Sequence, residues 1–308
     1  MLTAQVITYF AISIAVIAMI VKALRYLKAP EHMRWELYPV PHEKGKAEYG
    51  GSYLEELDWW TKPRESDSVN ELKEMAEEII LLKGVYNHNK TVWVSSLPFH
   101  LGMYLTIGWL LLMLLGGILQ ISGISMNPQA GVLASIIHYA IMATGYLGLF
   151  LTGIGALGLL IWRSTDTEQR RFNSPSDYFN LFAFVVVCGI TLFTQYTMDG
   201  SFVHMRAYVQ SLVTFGNITS PGALFTTEVI LIALLIMYIP LTRMSHFVAK
   251  YFLYHDVRWN DVPNERGSKI EKRIAELLNE KVSWAAPHIK TGSTWGEVIT
   301  DNKEISNE

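Results

Sequence analysis

The 308 residues hold nine histidines, and four of them stand at or near the ends of long apolar segments: His100, His138, His204 and His246. By depth they fall into two pairs, His100 with His246 and His138 with His204. Two imidazoles at one depth on facing segments make the donor set of a bis-histidine heme iron. Ionisable groups in apolar runs are costly and usually functional, so all four are candidate heme-iron ligands. A plainer reading stands beside each. A single His100 or His246 is also what anchors a helix end at an interface. His138 is also a hydrogen-bonded helix histidine, and His204 a surface one. The match of depth and context favours ligation for the first pair. His32, His42, His88, His255 and His288 lie in hydrophilic stretches and read as solvated or at a subunit contact.

Half of the residues are apolar, only 17% are charged, and the apolar ones are bunched. Five stretches are long enough to cross a hydrocarbon core, which takes about 20 helical residues: about 3 to 24, 97 to 121, 132 to 162, 178 to 198 and 222 to 244. The expected fold is an all-α membrane protein, a bundle of five transmembrane helices with an extended cytoplasmic loop and tail. Residues 1–24 form the first span, 25–96 a loop with an amphipathic helix, 97–246 the heme-binding four-helix part and 247–308 the tail. The first span has no basic flank before it and no small-residue cleavage site after it, so it reads as a retained helix.

Lys and Arg number ten in 25 to 96, three in 163 to 177 and nine after 244, against none in 122 to 131 and one in 199 to 221. By the positive-inside rule the N-terminus is outside and the large loop and tail are cytoplasmic. On this topology His100 and His246 share a depth near the cytoplasmic surface, while His138 and His204 lie toward the outer face. His204 sits in Ser201-Phe202-Val203-His204-Met205-Arg206-Ala207-Tyr208, which is apolar enough to fold back onto the bundle. Cys188 is the only cysteine. An iron-sulfur cluster, structural zinc or covalently attached heme must therefore belong to a partner.

In the loop, Ser68-Val69-Asn70-Glu71 reads as a capping box that opens a helix to about Lys83, stopped by Gly84, with Leu72, Met75, Ile79 and Leu82 on one face. That face suits either the membrane surface or a cytoplasmic subunit. In the tail, Ser268-Lys269-Ile270-Glu271 is a second capping box, and Ile270, Ile274, Leu277 and Leu278 form a stripe read as partner docking. Gly153-Ile154-Gly155-Ala156-Leu157-Gly158 matches a dinucleotide fingerprint in form only, because no strand precedes it and the run is intramembrane. Such glycines allow close helix packing or make room for a flat cofactor.

Pro98-Phe99-His100-Leu101-Gly102 and Pro240-Leu241-Thr242-Arg243-Met244-Ser245-His246 resemble the ligand motifs of the gamma subunit of respiratory nitrate reductase, a five-helix diheme cytochrome b that oxidises quinol. The resemblance implies that His100 and His246 hold the heme nearer the cytoplasm. The family's other two ligands fall at Leu110 and Glu228, so a second heme requires His138 and His204. The long loop with Arg34-Trp35-Glu36-Leu37-Tyr38-Pro39 and the extended tail are more similar to the DsrM branch, from the membrane complex of dissimilatory sulfite reduction. That resemblance implies heme b, menaquinone as substrate and a cytoplasmic iron-sulfur partner resembling DsrK. It also implies a periplasmic multiheme cytochrome c, further membrane subunits and the bilayer, with no nucleic acid.

Quinone chemistry needs a group that gives or takes a proton. Glu228, an ionisable residue in the fifth apolar run, is the leading candidate base, with Asp199 as a weaker catalytic candidate. Arg206 and Tyr208 are candidate cofactor-binding residues in the same outer zone. The expected role is a subunit of a quinone-linked oxidoreductase complex. Two alternatives stay open, a single-heme relay without its own quinone site and a heme-free membrane anchor.

Overall fold

The computed structural model describes residues 1–29, 40–46, 51–63, 65–124, 126–198, 200–287 and 289–300. In chain order the helices are α1 (Leu2–Leu27), α2 (Ser68–Ile80), α3 (Lys83–His88), α4 (Lys90–Ile121), α5 (Val132–Thr165), α6 (Gln169–Phe172), α7 (Pro175–Met198), α8 (Val203–Thr214), α9 (Ala223–Leu241), α10 (His246–Phe252), α11 (Lys269–Leu278) and α12 (Trp295–Thr300). Helices α1, α4, α5, α7 and α9 are long and apolar enough to cross a membrane. Among the described residues no strand forms, and isolated bridges such as Glu43 with Ser66 are the only β pairing. The chain is an all-α, multi-pass membrane protein.

Several boundaries differ from the sequence reading, each for a local reason. Helix α4 starts at Lys90 rather than near 97, because Asn89 accepts a hydrogen bond from the Val92 amide at 3.0 Å and caps the extra turns. Helix α2 is capped by Asp67, which accepts from the Asn70 amide at 3.0 Å, so Ser68 is already helical. It ends at Ile80, where Leu82 takes a left-handed conformation, and Gly84 lies inside α3. Helix α9 stops at Leu241: Pro240 cannot donate, Thr242 is extended, and Thr242 Oγ1 caps the Met244 amide at 3.2 Å. His246 therefore opens α10 instead of closing the fifth span. The tail cap is as expected, with Ser268 Oγ accepting from Glu271 N at 3.1 Å.

The chain divides into two compact units, Met1–Met19 with Lys73–Ser245 and Ile20–Leu72 with His246–Glu308. The loop read as one piece is thus shared between them. In the first unit α4 and α5 run antiparallel along a seam of small residues. A methyl group on Gly102 would overlap the Thr152 backbone, and one on Gly155 would overlap the Phe99 backbone. One on Gly148 would stand 2.8 Å from Thr106 N. Helices this close gain dispersion contacts that hydrocarbon tails cannot replace. The formal dinucleotide motif is therefore a packing surface, since Gly155 and Gly158 meet α4 and Gly153 faces Cys188 of α7.

Trp109, Met113, Ile141, Phe202 and Phe225 fill the core at this end, while Leu111, Phe150, Ile154 and Phe193 remain exposed on the outside of the spans, as lipid-facing residues should. Helix α8 folds back onto the bundle, with Met205, Arg206, Tyr208 and Ser211 buried. It is tied to α1 by Gln5 Nε2 to Ser211 Oγ at 2.9 Å, Thr8 Oγ1 with Tyr208 Oη at 2.7 Å, and Tyr9 Oη to the Leu212 carbonyl at 2.7 Å. Such polar ties suit an interior where water does not compete.

The second unit is built differently. The tail makes a π-turn at Leu253–Arg258 before the amphipathic α11. The loop meets it through polar side chains, with His42 Nε2 2.9 Å from Asp261 Oδ2 and the Tyr53 hydroxyl donating to the Asp261 carbonyl.

Candidate functional site

His100 lies on α4 one turn after Ser96. Its Nδ1 is 2.8 Å from the Ser96 carbonyl oxygen. A carbonyl only accepts, so Nδ1 carries the proton and the ring's lone pair falls on Nε2. Metal-bound imidazoles show this arrangement, in which a backbone acceptor fixes tautomer and ring orientation. The donor chemistry of His100 thus fits a heme iron. His246 belongs to the second unit, where it is exposed and lines a cavity of about 550 Å³ with Tyr26, Lys250, Phe252, Tyr254 and Arg273. The walls are mainly apolar and aromatic and carry the cations Lys250 and Arg273 together with the Asp256 carboxylate; the two cations would suit porphyrin carboxylates, and Asp256 would oppose them.

His138 and His204 are both in the first unit, on α5 and α8. The Nδ1 atom of His138 is buried with no hydrogen-bond partner, so this ring lacks the backbone anchor that His100 has. The His204 ring stands 6.1 Å from Phe225. Arg206 is close enough to His138 for their charges to interact, and it donates to the Ser201 carbonyl at 3.1 Å. A methyl on Gly116 would make ordinary contact with Ile141 at 3.7 Å and with Arg206 and Met126 at 3.8 Å, so α4, α5 and α8 meet at this point.

Glu228 is fully buried on α9, and Gln195 of α7 donates from Nε2 to its two carboxylate oxygens at 2.8 and 3.1 Å. Tyr208 spends its hydroxyl on Thr8 of α1 and packs edge-on against Phe225 at 6.2 Å. Asp199 lies outside the described residues, as do His32, His288 and the Arg34 to Pro39 motif.

The sequence reading passed over Gln195, which nevertheless carried a signal. Thr191 and Gln195 are polar, four apart and within an apolar span, and both are buried. It also treated His42 and His255 as solvated or subunit-facing. In the structure Glu71 lies between them, 3.7 Å from His42 Nδ1 and 3.2 Å from His255 Nε2. Asp261, 8% exposed, takes the other nitrogen of His42. The hydrogen bond to Asp261 raises the His42 pKa above its ordinary value, against the opposing effect of burial and with help from the Glu71 and Glu43 charges. No protein-family model, curated protein or solved structure matches the chain.

Proposed function

We propose that this chain is the cytochrome b membrane subunit of a quinone-linked oxidoreductase complex. It exchanges electrons between menaquinol or menaquinone and a cytoplasmic iron-sulfur subunit of the heterodisulfide-reductase type. The observation that carries the reading is the Nδ1 to Ser96 carbonyl bond of His100, which sets the ring for ligation through Nε2. By sequence depth, His246 would be the second ligand. A heme held by these residues would supply one-electron transfer. His138 and His204 would hold a second heme toward the outer face, a reading that rests on their paired depth in the sequence. The unpartnered Nδ1 of His138, unlike the anchored Nδ1 of His100, favours a second reading, with one heme only at His100 and His246.

Glu228 receives the proton that quinol oxidation releases, with Gln195 holding the carboxylate for it. Arg206 offsets negative charge at that end, and Tyr208 braces α8 against α1. The N-terminus is outside and the loop and tail face the cytoplasm, as the Lys and Arg distribution supports. Leu57 and Trp60 of the loop, 83% and 65% exposed, offer apolar surface to an iron-sulfur subunit resembling DsrK. A periplasmic multiheme cytochrome c and further membrane subunits complete the proposed assembly.

The test is a dithionite-reduced minus oxidised spectrum with a pyridine hemochrome count, on wild type and on alanine variants of the four histidines. Two b hemes per chain, with one lost in His138→Ala and in His204→Ala, support the diheme reading. One heme, lost only in His100→Ala and His246→Ala, supports the single-heme reading, and a colourless protein removes both. Glu228→Gln is expected to slow quinol-dependent heme reduction by roughly a hundredfold with heme content unchanged, the scale of losing a general base.

A further inference from the structure

Two buried side chains on α7 lack the partner their chemistry requires. Gln195 is 1% exposed; its amide nitrogen is spent on Glu228, and its Oε1 has no hydrogen-bond partner. One turn earlier Thr191 is fully buried, and its hydroxyl also has none. The usual outlet for a helical threonine is the carbonyl four residues back. Thr194 and Thr197 use it, each at 2.8 Å, and Thr191 does not. Burying an unpaired polar group is costly, so two within one turn, one of them bonded to a buried carboxyl group, call for a common ligand.

The chemistry of the two atoms narrows that ligand. Oε1 only accepts, which excludes an anion and calls for an O–H or N–H donor. Thr191 both donates and accepts. Residues four apart on a helix stand roughly 5–6 Å apart at Cβ, which one molecule making two ordinary hydrogen bonds can bridge. A small neutral protic molecule meets each condition, and inside a membrane span that molecule is water.

We propose that Thr191 and Gln195 form an internal water site, and that Glu228 exchanges its proton through it. The step involves O–H bonds alone: protonated Glu228 gives its proton to the water as the water returns one of its own to the carboxyl group, so one O–H bond forms on each partner for the one that breaks, and nothing is oxidised or reduced. Among the described residues, ionisable groups elsewhere at this end include His138 on α5 and His204, Arg206 and Tyr208 on α8. The inference rests on Glu228 as the proton-handling residue of the function proposed above, and it is independent of heme.

The experiment uses the full-length protein in detergent and reads the infrared carboxyl band that disappears in Glu228→Gln. On transfer to D2O the band shifts as the proton exchanges. Thr191→Val removes the hydroxyl without touching Glu228 and is expected to slow the exchange about tenfold, the effect of one lost hydrogen bond. Thr191→Ser, which keeps the hydroxyl, is expected to exchange at the wild-type rate. Wild-type exchange in folded Thr191→Val overturns the proposal. So does slowing in Thr191→Ser equal to that in the valine variant, or a band that responds to sodium ion and not to D2O. If the valine variant does not fold, the same band is followed in Gln195→Leu, where wild-type exchange is equally fatal. Failure of the heme reading shows separately, as loss of the Soret band with the carboxyl exchange intact.

Discussion

Gly102 and Gly155 bring α4 and α5 of the first unit to backbone contact, whereas in the second unit the loop meets the tail through His42, Glu71, His255 and Asp261. The contrast follows from the solvent. Between lipid-facing helices apolar burial gains little, so close approach of small residues and a few buried polar pairs must hold the bundle. The loop and tail can use charge, and charge ties respond to protons and salt. One unit should therefore answer to steric changes and the other to pH.

The sharpest test is steric. Gly155→Val or Gly102→Val would force α4 and α5 apart, and the expected loss is about 1–3 kcal/mol or more, read as a lower thermal midpoint in detergent. Gly108, where an added methyl meets nothing within 4 Å, should accept alanine with no such loss. Equal effects at Gly108 and Gly155 would erase the proposed difference between a packed seam and an open face.

Next in size is Asp261→Ala. It leaves His42 without its 2.9 Å partner, and the loss expected for a buried hydrogen bond to a charged group is about 1.5–3 kcal/mol. It should appear as faster proteolysis between residues 255 and 300, while the midpoint of the α4–α5 bundle stays unchanged.

A pH series sharpens the comparison further. His42 has a folded pKa raised above 6.5, so its stabilising contribution is full below 6.5 and is lost as pH rises through the folded value. Protease sensitivity of the tail should therefore increase as pH is raised from 6 into the alkaline range. Asp261→Ala should flatten that dependence, and a rise in the opposite direction would contradict the assignment.

The smallest effect is expected at Lys62→Ala. Lys46 and Lys62 together hold the exposed Glu56 carboxyl down to about 2, and Lys46 stays bonded when Lys62 is removed. Thermal midpoints at physiological salt should be indistinguishable from wild type.

Much of the fold was legible because hydropathy reports the solvent directly. All five spans are visible as apolar runs, and the Ser268 cap is visible as a local hydrogen-bond pattern. The ends were harder to read. Asn89 lengthens α4 into polar sequence and Thr242 cuts α9 short of His246, in each case through one side-chain cap that a hydropathy window averages away. At the candidate site, Glu228 stood out as a charge in an apolar run, but its partner Gln195 lies 33 residues away and nothing local links the two. The Glu71 bridge between His42 and His255 is likewise a long-range meeting of residues that each look like ordinary hydrophilic surface.

By itself the sequence determined that the chain crosses the membrane five times, since transfer of apolar helices into hydrocarbon depends on composition and length alone. It also singled out the side chains proposed to carry chemistry: four histidines near span ends and one acid within a span. Only the tertiary structure decided that the glycines of α5 serve a helix seam, that Gln195 holds Glu228, and that Asp261 holds His42. Those outcomes depend on distances between residues far apart in the chain, and such distances are set by how the helices pack.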